Sequence, residues 1–340
     1  MASVLRKSWQ PAPPVFSGTD ADVARTLPVL LATGAASLGW WRLKRSIGSD
    51  APSPTSDGLL EAFRLHSLQS ALHARSIRAV IPALRAAGLE PLLVKGWSVA
   101  RKYPHPALRP YGDIDLCMAD VDLAARVLAA DDLRKYNVDL HHGGEHLIDV
   151  PFDEVISQSQ LVELDGVSIR IPSDEHHLRI LCLHLLHHGA WRPLWLCDIG
   201  AALDAASDTF DWDVFLGRDP VRAGWMKYTL RLAESLLGAD LTRAPKSVRT
   251  ATLPPWFERS VLREWTRSHR WTSARPIGET IAKRPWAAPL EIVRRWPDPI
   301  RSSVFYGAPF DRGWRAPYQL RYALSRIGKV MGQLRESGRR

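Results

Sequence analysis

Residues 92–141 decide how this chain is read. Three short runs stand out there: Leu-Leu-Val-Lys-Gly at 92–96, Arg-Pro-Tyr-Gly-Asp-Ile-Asp-Leu at 109–116, and Asn-Val-Asp-Leu-His at 137–141. Each is a brief apolar or alternating run bounded by Gly, Pro or charge, which predicts strands over 91–95, 113–118 and 137–141. Between the second and third, Val121, Leu123, Ala124, Val127 and Leu128 share one face of a predicted helix over 120–130. Residues two apart on a strand project to the same side. Asp113 and Asp115 therefore face together, with Ile114 and Leu116 toward the opposite, core side. Two acids on one strand face repel unless something positive lies against them. The chain holds four Asp-x-Asp pairs. Those at 20/22 and 211/213 carry no strand signal. The pair at 120/122 opens a helix, where acids complement the dipole. Only Asp113/Asp115 lies on a strand.

This pattern suits phosphoryl or nucleotidyl transfer. Asp113 and Asp115 can hold a divalent metal against a triphosphate, and Asp139 on a neighbouring strand can complete a two-metal site or act as general base. Hard oxygen donors suit Mg²⁺ or Mn²⁺. Lys95-Gly96 stands at a strand end opening a helix, where backbone N–H groups and the lysine can cradle phosphates. Arg109, four residues before Asp113, can neutralise charge on the phosphates or on pyrophosphate.

Working outward, residues 1–20, with Pro11, Pro13 and Pro14, read as a loose arm. A helical stretch is predicted over 21–46, then a turn-rich linker over 48–58. The run over 59–87 is helical, with Leu60, Phe63, Leu65, Leu68, Leu72, Ile77, Ile81 and Leu84 at three- and four-residue steps and Gly88 as its end. Pro82 is expected to kink or divide it. Segments 146–150 and 161–171 add strand-like pieces, the latter turning at Gly166. Beyond Pro172 the pattern is helical: 173–188, 191–206, then shorter helices near 213–215, 224–237, 256–269 and 277–281. Helix, small sheet, then helices is an α+β architecture. Three regions are expected: an N-terminal arm and helical segment (1–58), an α/β core (59–172) and a helical C-terminal region (173–340).

Composition bounds the function. The 340 residues carry 46% hydrophobic and 24% charged side chains and a net charge of +9. This is ordinary for a globular chain long enough to bury a core unaided. Cys117, Cys182 and Cys197 form no CxxC pair and are too few for a disulfide framework, which fits a reducing, cytoplasmic setting. No stretch of 18 apolar residues exists, so no membrane span is expected. The basic excess favours anionic partners. Its arginines are nevertheless scattered, and a compositional bias toward Arg accounts for most of them. Ten of the fourteen tryptophans lie after residue 190. They read as core packing with Arg at the rim, against the alternative of base stacking. The tail over 318–340 reads as a basic amphipathic helix with a solvated face, ahead of membrane or RNA contact.

Taken together, the runs LLVKG, RPYGDIDL and VDLH resemble the uncharacterised nucleotidyltransferase family of the DNA polymerase β-like superfamily. Downstream, PSDEHHLRILCLHLLHH at 172–188 and WLCDIGAAL at 195–203 are similar to that family's His-bearing helix and following Asp-bearing helix. The likeness covers roughly residues 60–210. It implies a Mg²⁺-dependent enzyme that transfers a nucleoside monophosphate from a nucleoside triphosphate such as ATP. The acceptor (a small molecule, a protein or an RNA) is left open. The resemblance implies Asp113, Asp115 and Asp139 as catalytic, metal-holding carboxylates. It implies Lys95, Gly96, Arg109, His184 and Asp198 as nucleotide-binding. The 120–137 connection lacks the expected Gly, so Asp149 competes with Asp139 for the third acidic position. His184 and His188 also stand at metal-ligand spacing, against the plainer readings of a core or capping histidine near Asp198 or a polar pocket wall. Two other functions stay open: a non-catalytic nucleotide- or peptide-binding module on the same fold, and a basic RNA-binding protein.

Overall fold

The computed structural model describes residues 1–44, 53–266, 286 and 296–337. The expected helix over 277–281 and residues 48–52 of the expected linker lie outside them.

Four helices lead into the sheet: α1 (Ala2–Leu5), α2 (Asp20–Ala32), α3 (Ala36–Leu43) and α4 (Pro54–Ala86). Thr19 and Ser53 start α2 and α4 with capping boxes, and Pro54 takes the first turn of α4, where its missing N–H costs nothing. The 33-residue α4 runs unbroken through Pro82. Its apolar stripe is not continuously buried. Leu59 and Ala62 join one apolar cluster. Ile77, Val80, Ile81 and Leu84 join a second. The turns bridging the two clusters leave Leu65, Leu68 and Leu72 exposed.

The sheet holds β1 (Leu92–Leu93), β2 (Ile114–Met118), β3 (Val138–His142), β4 (Gln160–Leu164) and β5 (Val167–Ile171), in the order β3-β2-β1-β5-β4. β1 runs antiparallel to β2 and parallel to β5, while β2 and β3 are parallel and β4 and β5 form a hairpin, so the sheet is mixed. The short α5 (Gly96–Ala100) follows β1. Helix α6 (Val121–Leu128) makes the β2–β3 crossover, and α7 (Phe152–Ser157) precedes β4. Strand β2 is buried throughout. Its alternation puts Ile114, Leu116 and Met118 in one cluster, and Cys117 with the helical layer.

After β5 come α8 (Asp174–His187), α9 (Pro193–Asp204), α10 (Trp212–Leu216), α11 (Pro220–Leu237), α12 (Lys246–Arg249), α13 (Pro255–Thr266), α14 (Pro299–Phe305) and α15 (Ala316–Ser337). With the sheet, they form the α+β architecture expected. Trp195, Trp225 and Trp265 are core residues, whereas Trp314 is 81% exposed. No helix among the described residues is long and apolar enough to cross a membrane.

Two expectations are corrected. The N-terminal arm is not loose: Val4, Leu5 and Trp9 are buried, and Trp9 Nε1 donates to Asp204 Oδ2 at 2.9 Å. The segment 146–150 is a turn rather than a strand. Leu147 buries its side chain there, and Asp149 is held by two arginines instead of a ladder partner.

Candidate active site

The β1–α5 turn is built from two residues with left-handed backbone, Lys95 (φ 53°) and Gly96 (φ 45°). Such a φ is uncommon for a residue with a side chain. At Gly96 the positive φ favours glycine, while a Cβ would only reach ordinary contact, 3.4 Å, with the Tyr111 ring. The turn buries Lys95, whose ammonium lies 2.8 Å from Asp115 Oδ1 and 2.6 Å from Glu145 Oε1. Burial opposes the charge on Lys95, but the two carboxylates outweigh it and raise its pKa.

The parallel pairing of β2 with β3 sets the carboxylates. Asp115 stands opposite Asp139, and Cys117 opposite His141. His141 Nε2 lies 3.3 Å from Asp115 Oδ1 and 3.5 Å from Asp139 Oδ2. The Asp115 contact raises the His141 pKa. Burial, then the charge of Asp115, pushes the Asp113 carboxyl above the usual range. Asp113, Asp115 and Asp139 all line one cleft of about 640 Å³, together with Lys95 and His141. This volume is of the size that holds a nucleotide-scale ligand.

The opposite wall comes from the helical layer. Arg109 and His184 line the cleft, as do Arg192 and Trp195. The Arg109 guanidinium is committed to Asp198, with Nε–Oδ2 at 3.1 Å and Nη2–Oδ2 at 2.9 Å. Tyr103 donates to the other oxygen at 2.7 Å. Asp198 is fully buried. The expectation of direct nucleotide contact is corrected for Asp198: it positions Arg109 from behind. His184 sits edge-on to Trp195, ring centroids 4.6 Å apart, rather than bonding Asp198.

Asp149, the rival third carboxylate, is drawn away from the cleft by ion pairs to Arg179 and Arg222. Asp139 is the acid that lines it.

Three cleft residues had no distinct signal in the sequence. Glu145 follows Gly143-Gly144 and carries no periodic context, His146 fell in a supposed strand, and Arg192 was one of 36 arginines. Arg192 donates Nε to Thr33 O at 2.6 Å. Among the described residues no carboxylate lies within ion-pairing distance of it. Burial, with the charge of Arg109, lowers its pKa to about 10, so it stays cationic near neutrality.

One oxygen each of Asp115 and Asp139 and one nitrogen of His141 all lie within 4.8 Å of one another. The two carboxylates are hard, anionic donors that fit a divalent cation such as Mg²⁺ or Mn²⁺, and Asp113 lines the same cleft beside them.

Fold and cleft together define an α+β protein whose sheet edge carries in-register acids beneath a basic wall. Residues 19–238 match the model of the uncharacterised nucleotidyltransferase family, and the chain belongs to that family. No curated protein and no solved structure matches the chain. The match is broader than the 60–210 resemblance, taking in α2 to α4 at one end and α11 at the other.

Proposed function

We propose that this chain moves a nucleoside monophosphate from a nucleoside triphosphate to an acceptor. The supporting observation is the in-register pairing of Asp115 with Asp139, in one cleft with Asp113, Lys95 and Arg192. Asp113, Asp115 and Asp139 would hold Mg²⁺ or Mn²⁺, which supplies charge neutralisation at the phosphate oxygens. Asp139 lies on the edge strand β3 with 59% of its side chain exposed. It faces the side from which an acceptor enters and takes the acceptor's proton. The acceptor oxygen bonds to the α-phosphorus, the bond from that phosphorus to the bridging oxygen breaks, and pyrophosphate leaves with the electron pair. Lys95 and Arg192 offset the charge that builds on the leaving group, and Arg109, fixed by Asp198, holds the wall in place. The three buried, free thiols suit a reducing, cytoplasmic compartment.

One observation favours a second reading, a binding module without transfer: Lys95 already neutralises Asp115. The test is label transfer from each α-³²P-labelled nucleoside triphosphate, with Mg²⁺ or Mn²⁺, into small-molecule, protein and RNA fractions. The proposal expects labelled product in one fraction, with the rate falling on the order of 10²-fold or more in Asp139→Asn. Nucleotide binding with no label in any fraction would leave the binding module standing.

A further inference from the structure

Beside Asp115, the cleft carries a second group of donors that the transfer reading leaves unused. Glu145, His146 and His184 each place one ligand atom within 4.8 Å of the others. Glu145 and His146 come from the loop after β3, and His184 from α8. Two separate observations point to a missing ligand. The Glu145 side chain is only 6% exposed, yet its Oε2 has no hydrogen-bond partner among the described residues. His184 Nδ1 is likewise buried without one. Buried polar atoms are rarely left so. The loop also holds Glu145 in left-handed backbone, φ 57°, a conformation that non-glycine residues adopt mostly where surroundings or function impose it.

The donor types set the class of ion. Two imidazoles and one carboxylate are a borderline set that suits Zn²⁺ or Co²⁺, whereas Mg²⁺ prefers oxygen alone. Three protein ligands leave a position open, the pattern of reactive rather than purely structural zinc sites. Lys95 separates this group from the Asp115–Asp139 pair. Its ammonium bonds Glu145 Oε1 at 2.6 Å, which orients the carboxylate and leaves Oε2 available. His146 is braced from behind by His187, whose ring stacks on it at 4.5 Å.

We propose that Glu145, His146 and His184 bind a zinc-class divalent cation, at a site distinct from the Asp113/Asp115/Asp139 carboxylates and with an open position toward the cleft. The proposal does not rest on the transfer reading. The full chain, stripped of metal, is titrated with Zn²⁺ against a chromophoric chelator, and with Co²⁺ while visible absorption is recorded. One Zn²⁺ per chain is expected, not displaced by excess Mg²⁺ and retained in Asp139→Asn. Affinity is expected to fall at least about tenfold in His146→Gln and in His184→Gln, with the Co²⁺ bands altered in the same variants. Should His184→Gln fail to fold, His146→Gln, in the loop and with 20% of its side chain exposed, decides. No Zn²⁺ held against the chelator, or equal affinity in wild type and His146→Gln, would overturn the proposal. So would Zn²⁺ lost in Asp139→Asn but kept in His146→Gln.

Discussion

Arg109 and Asp198, 89 residues apart in sequence, form a buried ion pair behind the cleft, with the guanidinium Nη2 2.9 Å from Oδ2. Tyr103 completes the pair from the other carboxylate oxygen. Removing one partner strands the other charge in the interior, which costs about 3–5 kcal/mol. That is a large share of the roughly 5–15 kcal/mol that holds a domain folded. Asp198→Ala should therefore lower the denaturant midpoint sharply, and nucleotide binding should fall with it as Arg109 loses its anchor. An unchanged midpoint would contradict this role.

The two rival carboxylates should separate in a paired comparison. Asp139 has one side open to the cleft, so Asp139→Asn should abolish transfer while leaving the urea midpoint close to wild type. Asp149 serves Arg179, which is buried, and Arg222. Asp149→Asn should cost about 1.5–3 kcal/mol, the worth of hydrogen bonds to charged groups, with the transfer rate per folded molecule preserved. The reverse pattern in the two variants would reassign the third acid.

Arg192 packs its guanidinium on Gly34. A Cβ at Gly34, where φ is +72°, would lie 2.5 Å from Arg192 Nη2. Gly34→Ala should push the guanidinium out of place and weaken triphosphate binding by calorimetry. Arg192→Ala should weaken it more, by about tenfold to a hundredfold, the loss of one charge-assisted contact. A triphosphate affinity untouched by either change would remove Arg192 from the phosphate wall.

Histidine burial predicts a pH dependence with a definite sign. His66 accepts or donates a 2.6 Å hydrogen bond with Ser37, and burial, helped by the charge of Arg192, lowers its pKa to about 4. The unfolded chain, with the ordinary value of 6.5, binds this proton first as pH falls. Its contribution to stability is therefore complete above pH 6.5 and is lost as pH drops through the window down to about 4. Melting temperatures should decline over that window, and His66→Gln should flatten the decline relative to wild type. Parallel curves would show that His66 does not titrate as its burial requires.

The strands nearest the chemistry were legible because their signals are local. Alternation and bounding residues located β2 and β3 to within a residue, and the Asp113/Asp115 face followed from the two-residue period. Gly88 likewise marked the end of α4. What escaped was set by distant contacts. Trp9, in a proline-rich stretch that looks unstructured, is buried because its indole reaches Asp204, 195 residues away. Leu65, Leu68 and Leu72 fit a helical stripe but lie where α4 bridges two apolar clusters. Asp198 looked like a cleft residue until Arg109 and Tyr103 were seen to take both its oxygens. Glu145 gave no signal because a lone glutamate after two glycines reads as a turn, and only the fold brings it to Lys95.

The most direct test of the central claim is calorimetric titration of ATP, with and without Mg²⁺, into wild type and into the Asp113→Ala/Asp115→Ala double variant. The account predicts binding that strengthens with Mg²⁺ in wild type and is lost in the double variant. Binding indifferent to both metal and mutation, or no binding at all, would contradict it.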